Sequence, residues 1–320
     1  MANTTLIYSS GEVVSHSIID TLCACPRNYE LTYRLGMPKK TNVHFAYGHA
    51  MGIGIQSLLA GKSFEYSVLA ATTTWVQEFG FHDGAPEKAK TIWHVIEMLR
   101  RFNAMISFKN NPFSDYELAY FNINGKRVPA TELTFTIHLN ETWKYDGHID
   151  IVLKVKGKNR YVILELKTDG SNEVHELKYK NSLQALGYSC VLDSVSKTHY
   201  TDNPFDTSYT VFYLVVKPKT FTFEPFTFDK SLKQKFEFIQ TVILKVQEIE
   251  LYKQAGYFPK NGASCMRFNY PCVHADYCSL SNETVIQTIV TPRLEDGEEK
   301  PERNPHFTFS LEEIVNSIAA

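Results

Sequence analysis

The stretch that most narrows the choice of fold runs from Tyr116 to Leu166. Four short segments rich in β-branched and aromatic residues follow one another there: Tyr116–Ile123, Val128–Leu139, His148–Val155 and Tyr161–Leu166. Asn124-Gly125 and Gly157-Lys158-Asn159 separate them and suit tight turns, since Asn and Gly accept the left-handed backbone that hairpins need. The segments therefore read as a β-meander. Periodic apolar residues predict helices before it, over Ser15–Leu35 (Ile18, Ile19 and Leu22 on one face), Phe45–Leu59, Ser67–Phe79 and Pro86–Phe108. After it come a helix over Val174–Ser194, strands over Thr210–Val216 and Phe221–Phe228, and a long helix over Ser231–Ala255. This order predicts a mixed α/β fold around a central sheet.

Composition sets outer limits on function. With 320 residues, 43% hydrophobic and 21% charged, the chain matches an ordinary globular protein large enough for a sizeable core. A formal net charge of -2 supplies no global basic field, which argues against a protein that coats nucleic acid electrostatically. An enzyme gripping phosphates through bound cations and a local patch stays open. No apolar run approaches the ~20 residues of a membrane span, and the first residues lack the features of a signal peptide. A reducing, cytoplasmic location is the expectation, with the six cysteines as thiols or metal ligands instead of disulfides.

Within the meander, Asp150 closes Gly147-His148-Ile149-Asp150 and precedes an apolar run, while Glu165-Leu166-Lys167 ends the next strand. Strand alternation puts Glu165 and Lys167 on one face, Leu164 and Leu166 on the other. Carboxylates among aliphatics are costly unless compensated, and a divalent cation compensates them well. Lys167 would then position or deprotonate the attacking water, or stabilise charge at phosphorus. The bland alternative is a surface ion pair on an amphipathic strand.

These residues resemble the PD-(D/E)xK nuclease superfamily, and within it the RecB-type exonucleases, including those of CRISPR adaptation and their phage relatives. That pattern places G-x-I-D before a hairpin and an E-x-K-T strand, here ending at Thr168, and then Q-x-x-x-Y on the next helix, here Gln184 and Tyr188. The resemblance implies a restriction-endonuclease-like mixed sheet flanked by helices, with a helical N-terminal portion and a C-terminal cysteine cluster. It implies Mg²⁺ or Mn²⁺ held by Asp150, Glu165 and the carbonyl of Leu166, Gln184 and Tyr188 beside the site, and DNA, as single strands or duplex ends, as substrate. Glu132 resembles the family's upstream acidic ligand; a solvated strand charge is the alternative. The family's early helix carries G-x-x-x-H, whereas Gly48 here is followed at that spacing by Gly52. His49 is the candidate substitute ligand, against the reading of an ordinary helical histidine.

Cys265, Cys272 and Cys278 are spaced too widely for common zinc fingers, and Cys25 lies far upstream before Pro26-Arg27. This layout resembles the iron-sulfur branch of the same nucleases, which implies a 4Fe-4S cluster on Cys25, Cys265, Cys272 and Cys278, with zinc or free thiols as alternatives. Cys23 is the spare candidate, and Cys190 reads as a core thiol.

The expected organisation is a helical region over 1–110, a nuclease core over 111–260, the cysteine segment over 261–282, and a charged linker with a closing helix over 283–320. That helix docks back or binds a recombination or replication partner. Lys144, Lys154, Lys156, Lys158, Arg160, Lys178 and Lys180 form a basic patch suited to phosphates or to plain solvation. Gly61-Lys62-Ser63 lacks the upstream glycine and strand of a phosphate loop. The rival functions are a non-catalytic DNA-binding module on the same fold and a zinc-closed structural protein.

Overall fold

The computed structural model describes residues 12–37, 43–123, 125–170, 176–200, 202–207, 210–267, 270–289 and 306–319. Most of the charged segment at 292–306, the expected turn residue Asn124 and the first residues of the Val174 helix lie outside them.

The helices form where caps and apolar periodicity agree. Strand β1 (Glu12–Val14) leads into helix α1 (His16–Ala24), whose N-cap Ser15 accepts a hydrogen bond from the Ile18 N–H at 3.4 Å. The helix expected to continue to Leu35 stops at Cys25, which is extended at φ -164° and ψ 111°. Pro26 explains the break, because its ring pushes the preceding residue out of the helical region. A short helix over Pro26–Tyr29 and a π-turn over Glu30–Arg34 follow.

Helix α2 (Val43–Leu59) and helix α3 (Phe64–Phe79) are joined through Gly61, with Ser63 capping α3. Helix α4 (Ile92–Ser107) starts later than its sequence suggests. Pro86–Lys88 makes a single 3-10 turn, Ala89 turns left-handed at φ 53°, and Thr91 caps the helix proper.

Strands β2 (Tyr116–Leu118), β3 (Tyr120–Ile123), β4 (Lys126–Pro129), β5 (Thr131–His138), β6 (Trp143–Val155) and β7 (Tyr161–Thr168) form the expected meander, with two interruptions. At Ala119 and Ala130 the chain leaves the main sheet, so that β3 and β4 pair as a separate hairpin, Tyr120 opposite Pro129 and Ile123 opposite Lys126. Beyond β7, a short helix over Glu176–Lys180 precedes helix α5 (Leu183–Ser194). Strands β8 (Thr210–Lys217) and β9 (Thr222–Asp229) and helix α6 (Leu232–Ala255) match expectation closely. Helix α7 (Asn282–Ile289) and strand β10 (His306–Ser310) were not expected; helix α8 (Leu311–Ala319) was.

The main sheet runs β9-β8-β7-β6-β5-β10, with β1 and β2 also paired to β6. It is mixed: β7 and β8 are parallel, while β6–β7, β8–β9 and β2–β6 are antiparallel. Every residue of β8 is buried, as its continuous apolar run requires for a strand covered on both faces.

The chain makes two compact units, each discontinuous in sequence. One comprises 41–135, 148–238 and 303–320. Its core joins Ala50, Ile55 and Leu58 of α2 and Val95, Leu99 and Phe102 of α4 to Ile151, Leu153, Val162, Leu164 and Leu214 of the sheet. Since β7 commits Val162 and Leu164 to this core, Glu165 and Lys167 take the opposite face. The other unit comprises 1–40, 136–147 and 239–302. In it β1 pairs in parallel with β6 from Trp143 to Tyr145, and the Trp143 indole donates to Glu250 at 2.8 Å. Arg27 ties its early and late segments together, donating to Glu30 at 2.5 Å, Asn282 at 2.6 Å and the Leu280 carbonyl at 2.9 Å.

Candidate active site

Antiparallel pairing of β6 with β7 puts Ile151 opposite Leu164, and that register brings Asp150 beside Glu165. The Leu166 N–H donates to Asp150 Oδ2 at 3.3 Å, which fixes the aspartate against the next strand. Glu165 is 1% exposed, and neither of its carboxylate oxygens accepts a well-directed hydrogen bond. Its close contact is ionic: Lys167 Nζ lies 2.6 Å from Oε1. Burial pushes the Asp150 carboxyl well above the ordinary carboxylate range; neighbouring Glu165 adds to this and Lys167 opposes it. Two enclosed carboxylates beside one ammonium disfavour ionisation of both at once, a penalty that a bound cation would relieve.

Helix α5 completes the arrangement. Lys167 Nζ donates to Gln184 Oε1 at 2.7 Å, and Gln184 Nε2 donates to the Tyr188 hydroxyl at 2.7 Å. One turn separates Gln184 from Tyr188, so a single helical face holds the lysine from behind. Tyr188 is buried and meets the Phe135 ring edge-on at 6.0 Å. The structure thus brings Asp150, Glu165, Leu166, Lys167, Gln184 and Tyr188 together.

Glu132 stands near them. It contributes to raising the Asp150 carboxyl, accepts from Gln56 Nε2 at 2.6 Å, and lies 3.8 Å from His148 Nε2. His49 is drawn elsewhere: its Nδ1 contacts Glu78 of α3. The residue of α2 that enters the site is Gln56, whose amide also approaches the Asp150 carbonyl at 3.4 Å. Gly48, Gly52 and Gln56 recur every four residues, and that spacing marked the face pointing inward. Tyr213, opposite Glu165 in the β7–β8 register, is a second unexpected neighbour. Burial, with Glu165 adding to it, pushes its hydroxyl up and keeps it protonated.

Among the described residues, no three His, Cys, Asp or Glu side chains form a ready metal cage. Two carboxylates and a backbone carbonyl still suit Mg²⁺ or Mn²⁺, which keep several waters and need few protein ligands. The orphaned oxygens of Glu165 fit that role.

Five of the six cysteines lie in the other unit, Cys190 being the exception. Cys25 Sγ accepts from the Asn261 N–H at 3.4 Å, and the Cys272 N–H donates to the Cys265 carbonyl at 2.8 Å. Burial pushes the Cys278 thiol up; Lys260 opposes this, and Cys25 and Cys265 add to it. Cys23 is exposed and Cys190 fully buried in α5. Of the basic patch, Lys156 donates to the Ser114 carbonyl, Arg160 lies 3.9 Å from Asp206, and Lys178 lies 3.7 Å from Asp169.

A family model described as the PD-(D/E)XK nuclease superfamily matches residues 13–281. Among solved structures, that of a "putative exonuclease" from Eubacterium rectale aligns with 12% identity and a TM-score of 0.45, covering 88% of this chain and 100% of its own. The structure of SSO0001 aligns with 14% identity and a TM-score of 0.24, covering 72% of this chain and 86% of its own. No curated protein matches by sequence.

Proposed function

The chain belongs to the PD-(D/E)XK nuclease superfamily, and we propose that it acts as a Mg²⁺- or Mn²⁺-dependent deoxyribonuclease, an exonuclease working on single strands or duplex ends. The observation that carries this reading is Glu165, enclosed in the sheet beside Asp150, with Lys167 Nζ 2.6 Å from Oε1 as its close charged contact and no well-directed hydrogen bond to either oxygen. Asp150, Glu165 and the Leu166 carbonyl are the proposed holders of the cation, which when bound supplies activation of water and neutralisation of phosphate charge. Lys167 presents its ammonium to the phosphate undergoing attack and offsets the charge that develops there. Gln184 and Tyr188 hold that ammonium in place, and Gln56 fixes Glu132 against the back of Asp150. End-dependence follows from the likeness to RecB-type exonucleases, a family-level analogy.

The test uses end-labelled linear DNA and a closed single-stranded circle, each with Mg²⁺ or Mn²⁺. Wild type is expected to degrade the linear strand and spare the circle, and Lys167→Ala to slow degradation by about 10²–10⁴-fold. Wild type that cuts nothing at any pH with either ion sinks the enzyme. It favours instead a DNA-binding module, a reading supported by Gly52 and by the engagement of His49 with Glu78. Equal cutting by Lys167→Ala refutes the site.

Cys25, Cys265, Cys272 and Cys278 are proposed to hold a 4Fe-4S cluster, with zinc as the alternative. Asn261 supports a shared ligand, since its N–H donates to Cys25 Sγ at 3.4 Å and its carbonyl lies 3.9 Å from Cys265 Sγ. Protein purified anaerobically is expected to be brown and to carry about four irons. Colourless protein containing zinc and no iron assigns the thiols to zinc.

A further inference from the structure

Beside the C-terminal end of α2 lies a cavity of about 400 Å³, walled by the β3–β4 hairpin, β2 and the β6–β7 pair. Its volume falls within the range of small-ligand sites. Arg127 and Lys154 bring cations into it, while Glu117, Asn122, Tyr120 and Tyr161 supply most of the remaining polar wall. The Arg127 guanidinium carbon sits 4.3 Å from the centre of the Tyr120 ring. Stacking fixes the guanidinium plane, so its N–H edge can fork onto two oxygens of a single group. Among the described residues, neither Arg127 nor Lys154 has a carboxylate within 4 Å, although Glu117 stands opposite Lys154 in the β2–β6 register.

The opposite wall is the C-terminal end of α2. Helix α2 ends with the N–H groups of Ala60, Gly61 and Lys62 bonded to the carbonyls of Gln56, Leu58 and Ser57 at 2.9, 3.0 and 3.0 Å. The carbonyls of Leu59 and Ala60 come after these bonds, and both residues line the cavity. Cations on one side with tyrosine rings beside them match a phosphate joined to a nitrogenous base. The Glu117 carboxylate suits a sugar hydroxyl.

We propose that this cavity is a second nucleotide-binding site, taking a nucleoside monophosphate unit at Arg127 and Lys154. It is separate from the phosphodiester-cleaving centre: Lys154 lies four residues beyond Asp150 on β6, about 14 Å along an extended strand. The site goes beyond the nuclease reading and does not depend on cleavage. Its ligand is a free mononucleotide or a nucleotide of a bound DNA strand.

Binding is measured on the full chain in EDTA at fixed salt, so that cleavage and ionic strength do not confuse the result. The probes are a deoxynucleoside 5′-monophosphate, its nucleoside, inorganic phosphate and a short single strand. The monophosphate is expected to bind at least 10-fold tighter than nucleoside or phosphate alone. Arg127→Ala/Lys154→Ala should lose at least 10-fold, Arg127→Ala alone should lose part of this, and Lys233→Ala, an exposed lysine of α6, should bind as wild type. Unchanged melting of the exposed-site variant Arg127→Ala excludes misfolding as the cause. Loss confined to the oligonucleotide identifies a strand as the source; loss with the monophosphate identifies the free nucleotide. The proposal is overturned if the double variant binds both as wild type does, or if phosphate alone binds as tightly as the monophosphate.

Discussion

At the residue scale, Glu132 carries a cost that suggests a purpose. It sits in a strand yet has φ 49°, a left-handed conformation that costs a side-chain-bearing residue about 1–2 kcal/mol. The turn aims its carboxylate at Gln56 and keeps it close enough to influence Asp150. Lys230 pays a different cost. It is 1% exposed and donates to the carbonyls of Tyr179 and Lys180, which end the short helix between β7 and α5. Burial, with Lys180 adding to it, lowers its pKa from 10.5 to about 8. Between those two values the unfolded chain holds a proton that the folded protein has released, so this residue makes stability rise with pH across the window. Urea unfolding of wild type and Lys230→Met should show their stability difference shifting toward wild type by about 1–2 kcal/mol between pH 7.5 and 9.5. A pH-independent difference would mean the ammonium is not desolvated. The shared face of Glu165 and Lys167 was legible in the sequence because a strand's two-residue period assigns faces without tertiary knowledge, whereas Asp150 was singled out by the family resemblance. Gln56 was in view only as the residue one helical turn beyond Gly52, and Tyr213 not at all, since each reaches the site from an element distant in sequence.

At the element scale, the position of α5 decides whether Gln184 reaches Lys167. Gly187 lies on this helix, and a Cβ there would come within 2.7 Å of Phe238 Cζ and 2.9 Å of Cε2. Phe238 is only 2% exposed, so its ring has little room to yield. Gly187→Ala should destabilise the protein by about 1–3 kcal/mol and weaken cleavage by displacing Gln184. Gly52 has nothing within 4 Å of the equivalent position, and Gly52→Ala should be neutral or stabilise α2 by up to about 1 kcal/mol. Thermal melts of the two variants check the contrast, and a Gly187→Ala protein as stable as wild type would remove the argument. Helix existence was readable from apolar spacing, whereas several boundaries were not. Pro26 ends α1 through its effect on Cys25, a local signal masked by apolar periodicity running through it. Strand β10 was hidden because Phe307 and Phe309 alternate too briefly to separate a strand from the start of a helix; both are buried.

At the scale of the whole molecule, the closing segment is built into the fold. β10 takes the edge of the sheet beside β5, and α8 packs on α5, burying Ile314 and Ile318. The side chain of Lys197 reaches the Ser317 carbonyl from the turn after α5. Deleting 306–319 should bare a strand edge and the apolar back of α5, and such edges recruit other chains. Size-exclusion chromatography is expected to show aggregate in place of the species formed by the full chain; an unchanged elution profile would assign the segment no structural part. Cooperative placement of this kind was legible only in part, since amphipathicity marks a face to be covered without naming its partner. The position of β10 also bears on how the protein reaches this state. Its neighbour β5 ends at His138 and β10 begins at His306, so their pairing closes one of the longest loops in the sheet. Loop-closure entropy delays contacts so remote in sequence. The strands carrying Asp150 and Glu165 can therefore assemble while one border of the sheet is still open, and that open border is where the chain is most liable to self-association.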